Sequence, residues 1–299
     1  MKNTLFIIIL FSLSALMVAV TYGQEVVAVQ SARLSPYEEA LKGFQSTCRA
    51  NVTRIIISEQ ERNDVIKKIY EIDPDIIIAI GMDALTRVKS IRDISIIYLM
   101  VLDPQSILSG EENITGVSMN IPQERQLTTL AKALPGIKNV GLVYDPTMTG
   151  HLVERAREAA ARIGLNLIAK EINHPGEAPS AIRSLEGKID VLWMLPDKTV
   201  ITDETVEFML LFSIENMTPV FTFSDKYLES GALMSISVDP FDMGSQAGEM
   251  AKGLTSEKGA EGAGEMEARK GVITVNMKTA RKLGITIDEK IIAGANIID

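Results

Sequence analysis

The feature that most constrains this chain is an alternation repeated along almost its whole length. Short runs rich in Ile and Val, without a polar residue at every second position, fall at 26–30, 54–58, 75–80, 94–102, 140–144, 166–171, 189–195, 220–223 and 233–237. Strands of that kind are covered on both faces, as in a parallel sheet flanked by helices. Between them lie longer amphipathic stretches at 36–47, 61–72, 83–91, 122–134, 150–163, 178–185 and 203–215, which predicts βαβ units. The punctuation agrees. Ser35-Pro36 offers a cap followed by proline at the first helical position, Gly164 follows the 154–163 pattern as a stop, and Asp203 opens a helix whose apolar residues are Val206, Met209, Leu210 and Ile214. The expected class is α/β.

Lys2, the apolar run 5–20 and the small residues around Thr21 and Gly23 predict an export signal over 1–23, cleaved near Gly23. At 16 residues the run is shorter than the ~20 that span a bilayer, although a retained anchor is the alternative. No Leu-x-x-Cys stands at the cleavage point, so lipid attachment is not expected, and the mature product should be soluble. Cys48 is the one cysteine and cannot form an internal disulfide; it is expected as a buried small hydrophobe. With only His151 and His174 besides, no Cys/His metal cluster is expected. Without Lys2, 29 basic residues face 39 acidic ones, a net charge of 29 − 39 = −10 with no basic stripe, which argues against nucleic acid as a partner. The remaining 299 − 23 = 276 residues suffice for one large or two medium cores, and two lobes are expected. The stretch 257–269 has glycine, alanine and charge but little to bury, and reads as a mobile surface connection.

Ligands of open parallel sheets sit outside the carboxyl ends of the strands. Those ends carry Gln30-Ser31-Ala32, Gly81-Met82-Asp83, Asp103-Pro104, Asp145-Pro146, Pro196-Asp197-Lys198-Thr199 and Ser224-Asp225-Lys226. Carboxylates and carbonyls suit an ammonium group, while hydroxyls and helix N-termini suit a carboxylate. Taken singly, each Asp or Ser is also an ordinary helix cap or turn opener. As a set on one edge of two similar halves, they point to a cleft for a zwitterionic or polyhydroxylated solute. Trp193, inside a strand pattern, is expected in the core rather than as a stacking platform.

Several segments carry a resemblance, in order, over most of the mature chain. They are Asn113-Ile114-Thr115-Gly116-Val117-Ser118, the stretch 134–146 (LPGIKNVGLVYDP), Pro219-Val220-Phe221, Ser224-Asp225, Gly231-Ala232-Leu233, Gly244-Ser245-Gln246-Ala247-Gly248, and Val275-Asn276-Met277-Lys278-Thr279-Ala280 with Lys282-Leu283-Gly284-Ile285. The chain resembles the ABC-transporter substrate-binding proteins of the tryptophan/tyrosine-binding type. That resemblance implies a type I periplasmic-binding-protein fold: two doubly wound parallel-sheet lobes joined by three crossings, with a ligand cleft between them. The lobes would be 24–118 with 239–270, and 119–238 with 271–299. It implies ligand residues at Ser31, Gly81 with Met82, Asp103, Ser118, Asp145, Asp197 with Thr199, and Asp225. Relatives commonly have Gly-Thr at Gly81-Met82, Ser-Asp-Pro at Leu102-Asp103-Pro104 and Asp-Asn-Thr at Asp197-Lys198-Thr199. Three polar groups are thus replaced, and a Lys198 that faces the cleft would favour an anionic solute.

The expected function is capture of a small solute, an amino acid or related compound, by lobe closure in the periplasm, without chemistry and without a cofactor. The expected partner is a cognate ABC permease of the inner membrane, and the protein is expected to be a monomer. A sensory component reporting to a membrane kinase or chemoreceptor needs the same cleft. An exported enzyme is the remaining alternative, but Gly116-Val-Ser118-Met-Asn120 lacks the last glycine of a nucleophile elbow, and there is no Gly-x-Gly-x-x-Gly or P-loop.

Overall fold

The computed structural model describes residues 24–59, 64–102, 104–254 and 264–299; the expected signal at 1–23 and the candidate Asp103 lie outside them. The chain first lays down β1 (Glu25–Gln30), α1 (Ser35–Thr47), β2 (Asn51–Ile56), α2 (Asp64–Ile72), β3 (Ile76–Ile80), α3 (Met82–Val88), β4 (Ser95–Leu99) and β5 (Ile114–Ser118). It then builds a second unit from α4 (Gln123–Ala133), β6 (Asn139–Tyr144), α5 (Pro146–Arg162), β7 (Asn166–Glu171), α6 (Ala178–Arg183), β8 (Val191–Trp193), α7 (Asp203–Glu215), β9 (Val220–Thr222), α8 (Lys226–Glu229) and β10 (Met234–Val238). Next, α9 (Pro240–Leu254) and β11 (Met266–Glu267) return to the first unit. The chain ends on the second with β12 (Gly271–Asn276), α10 (Met277–Lys282), α11 (Glu289–Gly294) and β13 (Asn296–Ile298).

Two sheets result, ordered β11-β5-β4-β3-β1-β2 and β13-β12-β10-β9-β8-β6-β7. The chain passes between them three times, at 119–122, at 239 and at 268–270. Every pairing in the first sheet is parallel, while the second carries an antiparallel step from β10 to β12. The fold is therefore two α/β lobes, the second with a mixed edge.

The apolar runs follow from helices on both faces. In the first lobe Val26, Ala28, Ile76, Ile78 and Ile97 pack with Phe44 of α1 and Met243 and Ala247 of α9. Their neighbours Val27, Val29, Ile77, Ala79 and Ile96 pack with Ile69 of α2 and Leu85 of α3 on the other side. Alternate side chains point to opposite faces, so neither register can be polar. Trp193 is fully buried in the second lobe and stacks on Phe221 with ring centres 6.3 Å apart. Cys48 is buried in the first. Helices α1 and α9 meet backbone to backbone: a Cβ on Gly244 would stand 1.8 Å from the Ala40 carbonyl oxygen, and one on Gly43 would stand 1.9 Å from that of Phe241. Only glycine permits that approach.

Some element limits differ from expectation. Helix α5 starts at Pro146 rather than 150, because Asp145 caps it by accepting from Thr147 N and Pro146 supplies the first turn. The expected connection at 257–269 is corrected over its described part. Met266 and Glu267 pair in parallel with Val117 and Ser118 of β5, and Ala268 is fully buried. Backbone pairing of two residues needs no apolar run, so composition concealed it.

Candidate functional site

In both sheets the parallel strands place their carboxyl ends on one edge, and the two edges face each other across a cleft. One cavity there, of about 530 Å³, takes Met100, Leu102 and Met119 from the first lobe and Phe223, Ile236, Val238 and Val272 from the second, with Asn120, Asp225 and Lys226 as polar members. A neighbouring cavity of about 640 Å³ is more polar. It is lined by Gln105, Ser118 and Glu265 from the first lobe and by Thr147, Thr149, His151 and Lys198 from the second. Both cavities touch Leu102, Met119, Asn120 and Pro196.

The residues expected from sequence fall into three groups. Ser31, Gly81 and Met82 sit together at the ends of β1 and β3. The Ser31 hydroxyl accepts from Ala84 N at 3.0 Å, and a Cβ on Gly81 would lie 2.6 Å from both the Ser31 and Tyr37 hydroxyl oxygens. None of the three lines either cavity; they continue the rim beyond β4. Ser118 lines the polar cavity, its hydroxyl accepting from Asn120 N at 3.2 Å. Asp225 lines the apolar one and accepts from Ser235 Oγ and from Thr274 Oγ1 (3.1 Å), which ties the start of α8 to β10 and β12.

The third group is Asp145, Asp197 and Thr199. Asp197 is 1% exposed, and its two carboxylate oxygens accept four bonds: from Asp145 N (2.8 Å), Thr149 Oγ1 (2.6 Å), Thr199 N (2.9 Å) and Val200 N (3.1 Å). Asp145 accepts from Thr147 N (2.8 Å), Thr147 Oγ1 (2.7 Å) and Thr199 Oγ1 (2.7 Å). The Thr199 and Thr147 donors hold the Asp145 carboxyl below the ordinary aspartate range. Neither acid is among the residues lining the cavities. Together they lock the 196–199 loop to the head of α5, and Lys198, between two fixed neighbours, extends toward the polar cavity. The apolar strand thus ends in an acid and a hydroxyl that fix its own exit.

Sequence reasoning passed over Phe223, Asn120, His151 and Glu265. Phe223 reads as the last residue of a strand, and Glu265 lies in the stretch taken for a connection.

A family model described as ABC transporter substrate binding protein matches residues 54–298. The chain belongs to this family. Among curated proteins, this substrate-binding protein is 27% identical over 186 residues to a tyrosine-binding protein of Clostridioides difficile (strain R20291); the match covers 59% of this chain. It covers 53% of that relative, so the chain spans about half the length of the curated relative it matches. Among solved structures, the ligand-free, open structure of a substrate binding protein with adhesive properties from Clostridium difficile superposes with a TM-score of 0.72 at 20% identity, over 92% of this chain and 99% of that one. An ABC domain in complex with L-Trp from Streptococcus pneumonia gives 0.57 at 21% identity, over 91% and 100%. A conserved domain protein from Vibrio cholerae gives 0.58 at 23%, over 92% and 99%. At these identities the substrate-binding protein shares a fold with all three.

Proposed function

We propose that this chain is the extracytoplasmic, periplasmic solute-binding component of an ABC import system. It takes up a small amino acid with an apolar side chain by closure of its two lobes and releases it unaltered to a membrane permease. The observation that carries this reading is the apolar cavity of about 530 Å³ whose wall is divided between the lobes, Met100 and Leu102 on one side and Phe223 and Ile236 on the other. An aromatic side chain buries ~150–250 Å², worth about 4–6 kcal/mol gross at 25 cal/mol/Å². A wall shared by two lobes gains most of that contact only when they approach, and such differential affinity drives closure. The ligands named for the relatives, tyrosine and L-Trp, are of the same chemical class.

In this reading Ser118 and Asp225 touch the solute, and Ser31, Gly81 and Met82 belong to the first lobe's closing rim, with Asp103 a further candidate by its place in the sequence after β4. Asp145, Asp197 and Thr199 hold the opposite rim in shape. The protein acts as a monomer. A thermal-shift screen of the purified protein against the twenty amino acids tests the proposal. An apolar amino acid at 100 times its Kd adds about 2.7 kcal/mol and raises Tm by about 5–10 °C. No shift with any amino acid contradicts it.

A further inference from the structure

The proposed amino-acid reading leaves open what sets the size of the side chain that the cleft accepts, and this inference rests on that reading. We infer that Met100 is a specificity-determining residue of the apolar cavity: a left-handed backbone at the end of β4 turns its thioether out of the strand's alternation and into the cavity wall.

Among the described residues, the non-glycine residues with positive φ are Asp73 (53°), Met100 (55°) and Met217 (50°). Asp73 directly follows α2, and Met217 stands one residue beyond Asn216, which caps α7; a left-handed residue there is a common way for a helix to stop. Met100 follows a strand, which needs no such stop. A left-handed backbone crowds Cβ against the following carbonyl, so a residue this bulky adopts it only where its surroundings impose it. The neighbouring strand shows the ordinary solution. Ile80 of β3 pairs with Leu99 of β4, and the next residue after Ile80 is Gly81, with φ 94°. Gly81 N donates to the Leu99 carbonyl at 2.9 Å, so the two strands leave the sheet side by side, one through glycine and the other through methionine. Met100 thus keeps a side chain where glycine would fit without strain.

The packing shows what that conformation achieves. Along β4, Ile96 and Tyr98 point to the face covered by α2 and α3, while Ile97 and Leu99 point to the face covered by α1 and α9. Strict alternation would send Met100 to the first face and Val101 to the second. The reverse is found. Val101 is fully buried on the α2 and α3 side, and Met100 packs on the α1 and α9 side, where Met119 also packs. From there Met100 lines the apolar cavity, across from Phe223 and Ile236 of the second lobe. A thioether is unbranched and polarizable and makes favourable contacts with aromatic rings, so Met100 and Met119 give the first lobe an adaptable wall. The length of residue 100 sets how much of the cavity is left for the solute's side chain, and truncating it deepens the site.

The test is calorimetric titration of the wild type and of Met100→Leu, Met100→Ala and Met100→Gly with L-leucine, L-phenylalanine and L-tryptophan. Each buried methylene-sized group is worth about fourfold in affinity, so Met100→Ala and Met100→Gly should shift the tryptophan-to-leucine affinity ratio toward tryptophan by about tenfold or more. Met100→Leu keeps the volume and should leave that ratio within about threefold of the wild type. Thermal melting without solute reads the backbone: Met100→Gly should melt about 2–4 °C above Met100→Ala, the reverse of their order at an ordinary strand position. Should Met100→Ala not fold, Met100→Gly reads the same ratio. An unchanged ratio in the truncated variants, or an equal shift in Met100→Leu, overturns the specificity role while the amino-acid reading stands. A Met100→Gly protein that melts below Met100→Ala overturns the left-handed device. A wild type that binds none of the three probes overturns the apolar amino-acid reading itself.

Discussion

Replacing Asp197 by asparagine keeps the shape of the side chain and removes half of what it does. Oδ2 accepts from Asp145 N and Thr149 Oγ1, and Oδ1 from Thr199 N and Val200 N. An amide has one carbonyl oxygen, so whichever way the new side chain lies, two donors lose their acceptor and face an NH₂ group. The Thr149 hydroxyl can rotate and accept from that amide; the backbone N–H groups cannot. Hydrogen bonds to a charged acceptor are worth ~1.5–3 kcal/mol, and the site is 1% exposed, so solvent gives little relief. Losing two of them, with one partly replaced, should cost about 2–4 kcal/mol. For a chain of this size that is a fall in Tm of roughly 4–16 °C. Chemical denaturation of wild type and variant with a common m-value measures the difference directly. The loop carries Pro196 and Lys198 to the cavities, so affinity for L-phenylalanine should drop as well. An Asp197→Asn protein whose stability lies within about 0.5 kcal/mol of the wild type would refute the view that this acid serves the fold.

Asp225→Ala removes the acceptor shared by Ser235 and Thr274 behind the apolar cavity, and titration should show a loss of L-phenylalanine affinity of about tenfold or more. Gly244→Ala forces a Cβ onto the Ala40 carbonyl and should cost at least about 1–3 kcal/mol in urea unfolding, since neither helix backbone can yield cheaply. Asp145 has its folded-state pKa lowered, by Thr199 first and Thr147 second. In the acid range the unfolded chain therefore binds the proton more readily. The contribution is complete above about pH 4, shrinks below it, and is gone once the pH passes the lowered folded value. Denaturation curves between pH 5 and 2 should accordingly be less steeply pH-dependent for Asp145→Asn than for the wild type.

Burial on both faces is written into composition, and this is why the Ile- and Val-rich runs at 76–80 and 95–99 could be recognised as strands without a structure. Strands without a continuous apolar run, β5 and β11, were not legible. The pairing of β11 is made by backbone groups, and β5 carries Thr115 and Gly116 where an apolar run would be looked for. At the site, sequence position located the strand ends but not what their side chains engage. The partners of Asp197 include Asp145 N and Thr149, about fifty residues away along the chain. A cap and a ligand contact use the same residue types in the same places. Glu265 shows the limit most clearly: glycine and charge around it suggest a connection, and it is brought to the cavity by Tyr98, 167 residues earlier in the chain.

A crystal structure of the protein grown with the amino acid that stabilises it most tests the central claim most directly. The solute's side chain should lie between Met100 and Phe223, with the two lobes closer together than in crystals grown without it. Clear density for that amino acid outside the cleft, or in the cleft with the lobes unmoved, would contradict the account.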